Sequence, residues 1–361
     1  SLNSVLRRHG PRYLAEHAVT DQERKVLQQL LSCRQPMRGA HEWRCAGCGH
    51  THFTYHGCQN RHCAQCGAVR RVEWLEQIME WSLPTPDLHL VITVPHELND
   101  LILANQRVLY GLLFQAVRET LTQITRQTYG ADPGMVIMLH TWSQTMLEHV
   151  HSHIALTAGG LSLDGTQWIP MRAEDEAFSK PGLGGAFRDR YVDGLLKLYR
   201  QRKLQFPATM PEIELEEDLE RWLAPTADRA WHTFCQPPPV TSPDGSGVLK
   251  YLARYVVGSA ISDHRILSDD GEHVTTRMKD YYTGEYGPLP MTGEEFVRRF
   301  LLHVLPSRMH RLRYAGVYSP RDRKTRLETC RRLLKESTDN LSPVNEEEED
   351  HDDVLFFQKE E

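Results

Sequence analysis

No apolar run in this chain approaches the roughly 18 residues that a bilayer-spanning helix needs, so a membrane protein is not expected. The first 30 residues, SLNSVLRRHGPRYLAEHAVTDQERKVLQQL, hold no unbroken apolar stretch, so no secretory leader is expected either. Internal repeats are lacking. Hydrophobic residues at 40% and charged residues at 25% exclude collagen, a coiled coil and a wholly disordered chain. Cysteine is nearly absent outside one stretch, since six of the eight lie between Cys33 and Cys66. In a reducing compartment such a cluster points to metal ligands rather than disulfides.

The net charge of −6 conceals an uneven distribution. Residues 341–361 carry a net −8, whereas 1–75 and 301–340 each carry +6 around an acidic middle. Basic ends suggest a polyanion held by the flanks, although solvated surfaces often show similar imbalance.

Short helices are expected over 2–9 and 20–32, a Cys/His/Gly-rich segment over 33–68, and a helix over 69–82 that Pro84 and Pro86 end. LHLVITV (88–94) reads as a strand, and a long amphipathic helix follows from about Leu98 to Gln127. Residues 135–142 and 149–158 read as neighbouring strands, the second broken by Gly159 and Gly160. This β-α-β-β order predicts an α+β domain with an antiparallel sheet. Helices over 184–204 and 213–234 read as an insertion or lid within about 161–240. A Pro/Gly/Ser loop (236–247) then opens onto a helix in 248–262. Further on, 273–283 and 309–318 read as strands flanking a helix over 293–304, capped by Thr292 with Glu295. The expected domains are 1–82, zinc-binding and DNA-recognising; 83–270, with the central sheet; 271–340, a C-terminal α/β extension; and 341–361, an acidic disordered tail.

Cys45-Ala-Gly-Cys48 and Cys63-Ala-Gln-Cys66 form a C-x-x-C pair separated by 14 residues, a spacing that suits one tetrahedral zinc with no open position. Cys33, His41, Cys58 and His62 interleave with them and could hold a second zinc in a crossed arrangement. Arg61, Arg70 and Arg71, with Arg38 and Arg44, make a DNA-facing surface plausible there.

His149-Val150-His151-Ser152-His153 sets three imidazoles on one face of a strand, because side chains alternate with period two. Two of them can share an ion, and a third ligand must come from elsewhere: Gln144, or alternatively Glu148. Imidazole with an amide or carboxylate oxygen leaves open positions and suits magnesium or manganese at a phosphate. Tyr251 and Tyr255 stand at i and i+4 of an expected helix and so share a face. Such a pair is often core packing. A phenol with a pKa of about 10 is a poor nucleophile unless a metal polarises its target.

CQNRHCAQC (58–66), HVHSHIALTAGGL (149–161), YLARYVVGSAISDHRI (251–266) and GEEFVRRFLLHVLP (293–306) occur in this order. Together they resemble the bacterial insertion-sequence transposases of the IS91 kind, over roughly residues 5–330. The resemblance implies a paired-tyrosine HUH endonuclease fold with an N-terminal zinc-binding domain. It implies an enzyme that nicks and rejoins single-stranded DNA through 5′-phosphotyrosine links, in a rolling-circle-like route. It places the HUH pair on His151 and His153 and the nucleophiles on Tyr251 and Tyr255. Ser152 departs from the hydrophobic middle position of that motif. His149-Val150-His151 would satisfy it literally, but TAGGL falls where the family has its glycine-rich turn only for 151–153. The third ligand is not fixed by the resemblance.

The expectation is therefore a cytoplasmic, nucleoid-associated DNA transposase with structural zinc, a catalytic Mg²⁺ or Mn²⁺, and single-stranded DNA ends and target as partners. A plasmid replication initiator or relaxase-type nickase is the near alternative. A non-enzymatic zinc DNA-binding regulator is the distant one.

Overall fold

The computed structural model describes residues 1–237, 246–256, 260–280 and 283–339. The acidic segment 341–361 lies outside them. The chain opens with α1 (Leu2–Glu16) and α2 (Asp21–Leu31). A capping box starts α2: Thr20 Oγ1 accepts the Glu23 N–H at 3.2 Å, and Glu23 Oε2 accepts the Thr20 N–H at 2.7 Å. A hairpin of β1 (Ala40–Arg44) and β2 (Thr51–Tyr55) follows, and then α3 (Ala64–Trp81). α3 starts inside the cysteine segment, earlier than the residue pattern suggests, with Cys63 as its N-cap.

The middle of the chain runs β3 (Asp87–Thr93), α4 (Asn99–Ala104), α5 (Gln106–Tyr129), β4 (Ala131–Trp142), β5 (Glu148–Ser162) and β6 (Trp168–Pro170). It continues through α6 (Lys180–Arg200), α7 (Glu216–Ala227), β7 (Thr233–Gln236) and α8 (Ser246–Val256). The last part is β8 (Ile266–Asp269), β9 (His273–Lys279), β10 (Tyr286–Thr292), α9 (Gly293–Leu302), β11 (Leu312–Gly316) and α10 (Arg323–Asp339).

The principal sheet has the order β11-β4-β5-β3-β7, every pairing antiparallel, with β6 along the end of β5. This is the expected α+β architecture with a zinc-type N-terminal part. Period-two alternation gives the sheet two different faces. Leu88, Leu90, Ile92, Ile137, Leu139, Ile154 and Leu156 turn to one face and are buried under α5 and α6, with Leu113, Phe187 and Tyr191. Each such side chain contributes about 1.5–3 kcal/mol on leaving water. The alternate residues, among them His89, His140, His151 and His153, turn to the other face. There Val136, Met138 and Ala155 pack with α3, α8 and α10 through Ile78, Leu249, Leu252 and Leu327.

Four expectations are corrected by packing. The single helix expected over 98–127 is interrupted at Asn105, whose amide donates to the Leu101 and Gln205 carbonyls and accepts from the Gln205 N–H. Gly159 and Gly160 do not break β5, which runs through them to Ser162. They permit close approach instead, since a Cβ on Gly160 would stand 2.8 Å from the Asp132 backbone. The supposed insertion supplies α6, the layer over one sheet face, and β7, an edge strand of the sheet itself. The stretch after 270 is shared between two cores. α9 joins α1 and α2 through Phe296, Val297, Phe300, Leu6 and Leu27, whereas β11 pairs with β4.

Candidate functional site

His140 on β4 lies directly opposite His151 on β5, on the sheet face that α8 covers. His140 Nδ1 is 2.8 Å from His151 Nε2, which is 3.2 Å from His153 Nε2. Nitrogens about 2.1 Å from one ion and at right angles around it stand about 3.0 Å apart, so the three are spaced as ligands of a single divalent cation. His151 Nδ1–H donates to the His149 carbonyl at 2.8 Å, which leaves Nε2 as a lone pair. His153 Nδ1 lies 3.0 Å from His89 Nε2, so the same logic turns the His153 Nε2 lone pair inward. Burial pushes His151 down to about 3 and His89 to about 4, and pushes His140 and His153 well below the ordinary range. All four are neutral at physiological pH, the form that can ligate a metal.

Gln144, expected to complete the set, is not brought to the imidazole pair; His140 is, and the three imidazoles together could hold one metal ion. Gln144 lies in the turn after β4, and its carbonyl accepts a bond from Arg265. Glu148 is set opposite Trp142 at the start of β5. His149 is only partly buried and stands outside the converging set, although its ring is 4.7 Å from that of His151. Ser152 points to the opposite face and is fully buried, so the unusual middle residue of the motif does not touch the site.

α8 packs over this face by Val248, Leu249 and Leu252. It brings the Tyr251 ring edge-on to His89, 5.2 Å between centroids, and 6.4 Å from His153. Tyr255 follows one turn later, and its side chain lies outside the described residues.

The cysteines regroup as well. Cys33, Cys58, Cys63 and Cys66 converge, with Sγ atoms 3.6 Å apart for Cys33–Cys63 and Cys33–Cys66 and 3.7 Å for Cys58–Cys66. Tetrahedral Zn–S bonds of about 2.3 Å imply a spacing of about 3.8 Å, so the four fit one closed zinc site. The Cys58 N–H points at Cys33 Sγ (3.4 Å), the Asn60 N–H at Cys58 Sγ (3.5 Å) and the Asn3 amide at Cys63 Sγ (3.6 Å), as donors around thiolates do. A hydrogen bond from Cys58 holds Cys63 down to about 5, while burial pushes Cys33 up to about 11. A cation is what would ionise all four together. Gly57 is required here, since a Cβ would lie 2.8 Å from Cys66 Sγ.

Cys45 and Cys48, expected in this set, are instead exposed at the tip of the β1–β2 hairpin. The Cys45 N–H donates to the His50 carbonyl at 2.8 Å, and Gly49 closes the turn in a left-handed conformation with φ +72°. The proposed crossed second set therefore does not form. Its two cysteines complete the first site, His41 packs edge-on against His56 on the hairpin, and His62 is buried but apart from the thiols. Of the expected DNA-binding arginines, Arg61 donates to the Met309 carbonyl, Arg70 is exposed and Arg71 is half-buried on α3.

Comparison with known proteins identifies the family. The family model described as "Putative transposase" matches residues 134–326, and "Transposase zinc-binding domain" matches residues 5–94. A Sinorhizobium fredii protein named "Putative transposase y4qJ" is 36% identical over 341 residues, 91% of this chain and 83% of that one. The transposase for insertion sequence element IS801 of Pseudomonas savastanoi pv. phaseolicola is 25% identical over 334 residues, 91% of this chain and 78% of that protein. The chain belongs to this transposase family, the IS91 type. Among solved structures, conjugative relaxase TrwC in complex with mutant oriT DNA aligns at 18% identity over 31% of this chain and 44% of its own, with a TM-score of 0.25. No helix among the described residues is long and apolar enough to cross a membrane.

His140 and His89 are the site residues that the sequence pattern did not single out. The available signal was phase: Val136, Met138 and His140 alternate on one side of an expected strand. What was missing was the register that sets that side against His151.

Proposed function

We propose that this transposase nicks and rejoins single-stranded DNA at the ends of its element and at its target, through covalent 5′-phosphotyrosine intermediates. The observation that carries the reading is the Tyr251 ring beside the convergent His140, His151 and His153 nitrogens. A magnesium or manganese ion held by these imidazoles would polarise the scissile phosphate. The sheet fixes the three rings from two adjacent strands, and the two Nδ1 contacts of His151 and His153 hold their orientation. In the proposed step the Tyr251 oxygen bonds to phosphorus and the bond from phosphorus to the 3′-oxygen breaks. The phenol loses one proton and the leaving 3′-oxygen gains one. The bond energy stays in the phosphotyrosine, so a 3′-OH can reverse the step without ATP. Tyr255, one turn on, would be the second nucleophile, which would allow donor and target cleavages to be held at once.

A labelled single strand from the element end should form a denaturant-resistant adduct that needs added magnesium or manganese. Tyr251→Phe keeps the ring and its packing and should lower adduct yield at least a hundredfold. Adduct at wild-type yield from the double variant Tyr251→Phe, Tyr255→Phe would sink the assignment.

A further inference from the structure

A cleft outside the histidine site opens between α2, the loop leading into α3 and residues 307–308. It is open to solvent and offers about 230 Å³. Its charged lining is Lys25, Arg61, Arg70 and Arg308, and no lining residue is acidic. Between these cations stand the amides of Gln29, Gln59 and Asn60. Asn60 donates to Gln29 Oε1 at 2.7 Å and accepts the His62 N–H at 2.8 Å, so that wall is already ordered. His62 also lines the cleft, is almost wholly buried, and its Nε2 has no hydrogen-bond partner. A buried imidazole nitrogen left without a partner in a polar cleft is a group that awaits one. Two lining residues, Gln59 (φ +54°) and Arg308 (φ +61°), hold left-handed backbone conformations without being glycine. Such conformations cost about 1 kcal/mol or more and persist where the surrounding structure holds them.

We propose that this cleft takes one nucleotide of a single-stranded DNA end, with the phosphate on Lys25, Arg70 and Arg308 and the base edge against Gln59 and His62. Exposed cations beside amide groups and a buried imidazole offer what a splayed-out nucleotide needs: charge for the backbone, mixed donors and acceptors for the base. The volume is enough for a single base. One short segment ties the cleft to the histidine cluster. Three residues past Arg308, the Arg311 guanidinium lies 5.0 Å from the centre of the Trp142 ring, which is 3.9 Å from the His140 ring. A strand anchored here would therefore be held on the zinc side of the cleavage site. The inference rests on the reading that the protein acts on single strands, and adds where the strand is held.

The test is equilibrium binding by a full-length His151→Ala, His153→Ala protein, which cannot cleave, so that binding is read apart from chemistry. The probe is a fluorescein-labelled single strand from the element end, without added divalent metal. Adding Lys25→Gln, Arg70→Gln and Arg308→Gln should weaken binding at least tenfold. The slope of log K against log salt should flatten by about 0.7 for each phosphate that the variant no longer neutralises. Zinc content and melting temperature should stay unchanged, and restoring charge with Arg70→Lys should recover part of the affinity. Placing an abasic site at each position in turn should reveal one position whose base matters, and Gln59→Ala should erase that dependence. Binding within twofold of the parent, with an unchanged salt slope, would overturn the proposal. So would an abasic scan flat at every position, which would leave a phosphate patch with no nucleotide pocket.

Discussion

The cysteine cluster and the histidine cluster use the same device, a few side chains converging on one point, to opposite ends. Four buried thiols converge with no open position between them and tie the C-terminal end of α2 to the loop before α3 and the first turn of α3. Three imidazoles leave part of their site uncovered by ligands, with Tyr251 nearby. The first arrangement can only hold structure together, whereas the second can bind and polarise something that arrives from outside. The difference follows from ligand count and from what packs on the remaining side.

Losing one cluster should therefore unfold part of the molecule, while losing the other should silence it. The largest expected effect is at the thiols. Cys58→Ser, or stripping zinc with a strong chelator, should melt the N-terminal helices, because apparent zinc-binding energies of about 10–16 kcal/mol are coupled to folding in small zinc sites. Circular dichroism and zinc analysis read this directly. Unchanged melting of the zinc-free protein would show that the apolar contacts of α1, α2 and α9 suffice alone.

At the histidines the fold should survive. His140→Ala should reduce metal-dependent cleavage by more than the roughly 10–100-fold typical of removing a residue that only supports a ligand, with the melting temperature little changed. Gln144→Ala should leave cleavage within about twofold. Equal losses from the two would return Gln144 to the ligand set.

A smaller effect is expected at Asp87, on the same sheet face as His89. Burial pushes its carboxyl up to about 8, and Oδ1 lacks a hydrogen-bond partner. The folded protein thus keeps a proton that the unfolded chain releases near the ordinary value of 3.8. Its contribution to stability is full below about pH 4 and falls away as pH rises toward 8. Asp87→Asn, neutral at every pH, should raise the melting temperature clearly more at pH 8 than at pH 4.5. A shift of equal size at both pH values would assign the effect to packing.

The smallest effect is expected from Cys45→Ser with Cys48→Ser. The pair lies on an exposed hairpin tip, so stability should move by no more than about 0.5 kcal/mol, and the zinc held by the buried cluster should remain. Loss of that zinc would put the hairpin cysteines back among its ligands.

Much of this molecule is written in local pattern. Alternation along 149–153 placed His151 and His153 on one face, because strand geometry admits nothing else. The Thr292 cap marked where α9 begins, since an exposed N–H at a helix start needs an acceptor. Cysteine clustering announced a zinc site, and the order of motifs announced the family. Partner choice was not legible, because it depends on contacts between residues far apart in sequence. Cys45 and Cys48 have ideal spacing for zinc, yet the turn at 45–50 carries them to a hairpin tip while Cys33 arrives from the end of α2. His140 met His151 and His153 only through the register of β4 against β5, which a bulge between His140 and Trp142 helps to set. His89 met His153 and Tyr251 because β3 pairs with β5 and α8 returns across both. Sequence specified which chemistry each segment could offer; the packing of the sheet and its covering helices decided which of those offers meet.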